Sequence, residues 1–144
     1  MTKKLSIIYF ITFVFSTYTH AGCVNEINST SELVLSNTCN FENTVLVRID
    51  DVSMEGWYNP TSYLKPHRTY RYEASVLESI KGNTQDKLCF VELIEGEDSP
   101  NIGIEYIVSF NSAEGCSLID VGGKVIVTDS LLKEARRAAK LDGH

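Results

Sequence analysis

The sequence predicts a small all-β domain, an antiparallel barrel carrying a peripheral helix at its C-terminal end. Three observations support this. Apolar residues recur with period two in short runs after residue 44, Gly and Pro clusters punctuate the chain between those runs, and long helical periodicity is confined to the C-terminal stretch.

Composition narrows the class. The 144 residues include 13 Lys+Arg against 19 Asp+Glu, a net charge of −6, with 43% hydrophobic residues, 3 His and 4 Cys. This excludes a disordered tail, a collagenous repeat and a basic nucleic-acid binder. Lys3 and Lys4, the apolar run Leu5 to Phe15, and Thr19-His20-Ala21 with small residues at positions −3 and −1 before the cleavage point form a secretory signal peptide. Eleven residues of helix span only about 16 Å, too short for a membrane anchor. Removing residues 1–21 leaves a single domain of 123 residues, 22–144, with 11 basic against 19 acidic residues and a net charge of −8.

The expected location is secreted or periplasmic. Ala21-Gly22-Cys23 also matches the end of a lipobox, which would put the protein on a membrane through lipidated Cys23. Cysteine parity argues against it, since acylating Cys23 strands three thiols in an oxidising space. None of the spacings is C-x-x-C, so structural disulfides are expected over a zinc ribbon or a redox site, and the four cysteines allow three connectivities. A bridge closing 50 to 100 residues adds roughly 4 to 5 kcal/mol in the chain-entropy model.

The elements follow in order. Ser29-Thr30-Ser31-Glu32 fits a capping box ahead of Leu33-Val34-Leu35, predicting a short helix or turn. Val45, Val47 and Ile49 alternate with Leu46, Arg48 and Asp50 in a strand over 44–52. Gly56, Pro60 and Pro66 make 53–67 a long loop. Tyr70, Tyr72, Ala74 and Val76 line one face of a strand over 68–80 that ends at Lys81-Gly82-Asn83. Strands over 87–94, from Ile104 to Phe110, over 116–121 and over 124–128 come next, the last two joined by a Gly122-Gly123 primed turn. A helix from Asp129 or Ser130 to Lys140 presents Leu131, Leu132, Ala135, Ala138 and Ala139 to the sheet and its basic residues to solvent.

Five or six short strands and one late helix describe a small barrel of OB type. Ordered features then make a family likeness specific: Cys39-Asn40, Val45-x-Val47-Arg48, Tyr72-x-x-x-Val76 with Ile80-Lys81-Gly82, Gly103-x-x-Tyr106-Ile107-Val108, and Gly115-Cys116. Over roughly residues 23–140 the chain resembles the netrin-like (NTR) domain, the fold of the tissue inhibitors of metalloproteases. The resemblance implies a secreted, disulfide-linked OB barrel that binds other proteins, with Cys23 tied to Cys116 and Cys39 to Cys89. In the metalloprotease inhibitors an N-terminal Cys-x-Cys chelates the target's zinc. Here the matching Cys23-Val24-Asn25 departs from that pattern twice, since Gly22 precedes Cys23 and Asn25 stands for the second cysteine.

Motif content argues against catalysis. The chain beyond residue 21 has only His67 and His144 as imidazole bases, and there is no G-x-S-x-G elbow, H-E-x-x-H or P-loop, so no enzyme activity and no cofactor are expected. Glu95-Gly96-Glu97-Asp98 lacks EF-hand spacing and reads as a solvated acidic turn rather than a calcium site.

The stretch 57–71 is the unusual one. It interleaves Trp57, Tyr58, Tyr63 and Tyr70 with Lys65, His67, Arg68 and Arg71, either as aromatics capping a barrel mouth or as an interface of hot-spot composition. The expected partner surface is Cys23, Val24, Trp57, Tyr58, Tyr63 and Arg68, and the expected partner a protein, a protease if the inhibitor reading holds. An oligonucleotide or oligosaccharide ligand is the further alternative, the net charge of −8 counting against nucleic acid.

Overall fold

A computed structural model describes residues 28–58, 67–95, 101–112, 115–119 and 123–142. The element order is α1 (Thr30–Asn40), β1 (Asn43–Tyr58), β2 (His67–Lys81), β3 (Lys87–Glu95), β4 (Glu105–Phe110), β5 (Ser117–Ile119), β6 (Lys124–Ile126) and α2 (Asp129–Asp142). The strands form one sheet in the order β5-β3-β2-β1-β4-β6, antiparallel except for β3–β5. The expected mainly antiparallel β-fold with a C-terminal helix is present, and α1 adds a second helix.

The start of α1 follows from its cap. The Ser29 hydroxyl accepts from the Glu32 backbone N–H at 3.2 Å, while the Glu32 carboxylate accepts from the Asn28 N–H at 2.7 Å, one residue further out than the usual reciprocal arm. No basic residue of the helix itself occupies its last turn. Lys81 of β2 supplies that charge from outside, donating from Nζ to the Thr38 and Cys39 carbonyls at 2.8 and 3.2 Å and pairing with Asp142 of α2 at 2.5 Å. One ammonium therefore satisfies the negative end of one helix and tethers the other.

β1 holds the sheet together. It pairs with β4 from Asn43 to Arg48 and with β2 along its whole length. Four register irregularities bend it, one of them between Ile49 and Asp51. Before that bulge Val45, Val47 and Ile49 face the core; after it the inward position falls to Val52, opposite Tyr72. The chain reverses between β2 and β3 at Gly82, whose φ is +79 and whose added Cβ would clash with Asn43 Oδ1 and lie 2.9 Å from the Glu42 carbonyl.

Two cores result. The inner face of the sheet contributes Val45, Val47, Ile49, Tyr70, Tyr72, Ala74, Phe90, Tyr106, Val108, Phe110 and Ile119, with the Tyr72 and Phe90 rings stacked at 4.6 Å. Neither helix belongs to this cluster, so the strands themselves coil around it, and β4 approaches β5 although three strands separate them in the ladder. On the other face Val34 of α1, Ala135 of α2 and Ile107 of β4 form the second core, with Ile80, Val125, Leu131 and Leu132 packed against it. β4 is consequently buried on both sides, which is why Tyr106 to Phe110 includes no charge.

Several expectations need correction. Residues 53–58 belong to β1 and His67 to β2, leaving 59–66 of the expected loop outside the described residues. Cross-strand pairing to β2 carries β1 past the point where its apolar alternation stops. Among the described residues β5 and β6 do not pair as a hairpin: β5 lies parallel to β3, while β6 joins β4. The strand expected over 124–128 ends at Ile126 because the Thr128 hydroxyl turns to accept the Leu131 N–H at 3.3 Å at the start of α2. Tyr70, by contrast, is 7% exposed and joins Tyr72 and Ala74 in the core, as the alternation over 68–80 predicts.

The disulfide pairing differs as well. Cys89 bonds Cys116, with Cα atoms 4.7 Å apart, so neither Cys23–Cys116 nor Cys39–Cys89 forms. The parallel β3–β5 ladder sets Phe90 against Ser117, which places the preceding residues Cys89 and Cys116 side by side. Cys39, on α1, is also disulfide-bonded.

Candidate functional site

The expected partner surface is brought together only in part. β1 leaves β4 after Arg48↔Glu105, keeps backbone contact with Ile104 and Gly103 through Ile49, and then continues from Asp51 to Tyr58 paired with β2 alone. That stretch is about 25 Å long at strand rise. At its end Trp57 stands opposite Arg68 and Tyr58 opposite His67, so three expected residues share one hairpin terminus. Cys23, Val24 and Tyr63 lie outside the described residues, as do the loop from 59 to 66 and Gly96 to Asp98 of the acidic turn.

Around this terminus the surface is mixed. Met54 on β1 is 60% exposed and Leu93 on β3 is 48% exposed, while Arg71 bridges Glu55 at 3.6 Å and Glu73 at 3.2 Å. Exposed ion pairs of this kind add little stability, so they fix charge pattern more than fold.

A second constellation escaped the sequence reading. On the inner face, the Lys124 ammonium of β6 meets the Glu92 carboxylate of β3 at 2.7 Å, their side chains being 10% and 15% exposed. The Tyr72 hydroxyl donates to Glu92 at 2.8 Å and accepts from Lys124 at 3.0 Å. The same ammonium stands 4.6 Å from the Tyr72 ring centre and 4.7 Å from that of Tyr106. Burial, then the hydrogen bond to Glu92, pushes the Tyr72 phenol far above its ordinary value; burial, then the Glu92 charge, raises Tyr106.

β6 and β3 are far apart in the ladder, so this ion pair crosses the inside of the coiled sheet. Its chemistry is structural: the Lys124 ammonium, the Tyr72 hydroxyl and Glu92 Oε2 are one another's partners. The available signal was Glu92 itself, an acid standing at an inward position between Phe90 and Ile94.

Among the described residues no group of three or more His, Cys, Asp or Glu side chains is placed to hold a metal ion, and no helix is long and apolar enough to cross a membrane. No protein-family model matches the chain, and no match was found among curated proteins.

Proposed function

We propose that this chain is an exported, NTR-like OB barrel that works as a binding domain, and that a protein partner docks on the end of the β1–β2 hairpin around Trp57, Tyr58 and Arg68. One observation carries the reading. β1 runs for eight residues, Asp51 to Tyr58, past its last backbone contact with the β4 side, so its second edge has no strand beside it among the described residues, and Met54 within that stretch is exposed. An open strand edge next to aromatic and Arg residues is a surface that partners use.

The barrel part of the proposal is supported by β1 pairing with both β2 and β4, by the parallel β3–β5 ladder, and by the Lys124–Glu92 pair that links the two flanks. Export is supported by the Cys89–Cys116 disulfide together with the leader-like residues 1–21.

The test is affinity capture from the extracellular medium of the source cells, with the partner identified by mass spectrometry and its binding then measured with purified components. Trp57→Ala/Arg68→Ala should weaken that purified interaction at least about tenfold, as hot-spot truncations do, while the melting temperature stays unchanged. A matching loss of stability would mark the pair as core and end the proposal.

A further inference from the structure

At the end of the sheet away from that hairpin terminus, a cleft of about 390 Å³ opens beside the disulfide. Leu88 and Phe110 of the inner face give its lining an apolar part. Asn83, Thr84 and Gln85 of the β2–β3 turn line it together with Asn43, Ser112 and Ser117. Cys89–Cys116 ties the β3 and β5 parts of the lining together, so they are held at fixed separation.

Ser117 marks this cleft as more than a surface irregularity. It is only 4% exposed, and its hydroxyl has no hydrogen-bond partner among the described residues. A buried hydroxyl without a partner carries a penalty that a bound polar group removes.

Among the described residues the lining also offers no free charge. Lys87 is the one ionisable side chain among these lining residues, and its ammonium is engaged elsewhere, with Asp50 at 2.6 Å and Ser75 at 2.8 Å. An anion or cation entering the cleft would lose hydration and gain no free counter-charge from these described lining side chains. Amide and hydroxyl side chains, each able to donate and accept, together with an apolar part of the lining, instead suit a ligand with neighbouring hydroxyls and an apolar C–H face.

We infer that this cleft is a binding site for a neutral saccharide, with Gln85 and Ser117 hydrogen-bonding its hydroxyl groups and Phe110 and Leu88 underlying the ring. The site is separate from the hairpin surface, and its success or failure is independent of the protein-binding reading.

The experiment is an amide chemical-shift titration of the ¹⁵N-labelled protein with methyl glucoside, methyl galactoside, N-acetylglucosamine and its β1,4-disaccharide, each up to about 50 mM, a range that covers millimolar affinity. N-acetylglycinamide, which offers amide groups but no polyol, is titrated in parallel. Saturable shifts confined to residues 83–89, 112 and 115–117 with at least one sugar are expected. Gln85→Ala, at an exposed position, should weaken that binding about fivefold, the effect of one lost hydrogen bond. Ser117→Val should weaken it at least as much. The inference is overturned if no sugar saturates, if the shifts fall elsewhere, if only N-acetylglycinamide binds, or if Gln85→Ala leaves the affinity unchanged.

Discussion

Lys124→Met is the most informative single change. Its ammonium lies 2.7 Å from Glu92, 3.0 Å from the Tyr72 hydroxyl and under 5 Å from two ring centres, in a place where both charged side chains are at most 15% exposed. At that separation and an effective dielectric near 20 the attraction is about 6 kcal/mol, part of which is offset by desolvation. Removing one partner strands the other, and losses of about 3–5 kcal/mol are usual for buried pairs. For a domain of this size that is a fall in melting temperature of roughly 12–20 °C.

Urea titration followed by Tyr and Trp fluorescence gives the free energy directly. Glu92→Leu should cost a similar amount. The triple variant Lys124→Met/Glu92→Leu/Tyr72→Phe, which removes every member left without a partner, should return to within about 1–2 kcal/mol of the parent. A loss below about 1 kcal/mol for Lys124→Met would mean that the pair behaves like a surface salt bridge. The ion pair would then not be what joins β6 to β3.

Two further outcomes bear on the same scaffold. Non-reducing peptide mapping should recover Cys89 linked to Cys116, and Cys89→Ala/Cys116→Ala, which opens a loop with a sequence separation of 27, should cost about 3.5 kcal/mol in the chain-entropy model; a Cys39–Cys89 peptide would refute the β3–β5 register. Because Tyr72 and Tyr106 have folded-state pKa values raised above those of the unfolded chain, their share of stability is complete below about pH 10 and is lost as pH rises beyond it. Absorbance titration should therefore show these two phenols ionising only together with unfolding, whereas reversible ionisation in the folded protein near pH 10 would contradict their burial.

Much of this arrangement was legible beforehand for reasons that lie within a few residues of chain. Alternation at Val45-x-Val47-x-Ile49 and Tyr70-x-Tyr72-x-Ala74 reports one buried face directly, and the Ser29 to Glu32 cap and the Leu131 to Ala139 stripe report helices whose first turn and apolar face are local properties. The second half of β1 was not legible. A bulge after Ile49 shifts the inward phase, so Ser53, Met54 and Gly56 read as loop while their backbones pair with β2.

The candidate site divides in the same way. Trp57, Tyr58 and Arg68 were singled out by composition alone, and pairing sets them at one terminus, whereas Tyr70 of the same stretch turns inward because strand parity puts it on the same face as Tyr72 and Ala74. Compartment, strand content and the C-terminal helix were thus expectations that the amino-acid order could carry by itself, since leader character, period-two burial and capping are short-range. Tertiary structure alone decided which strands are neighbours, that β5 runs parallel to β3, that Cys89 meets Cys116, and that Lys124 and Glu92, 32 positions apart, share a buried hydrogen-bonded pair. Those are contacts between distant segments, and a pattern along one strand contains no information about which other strand will lie beside it.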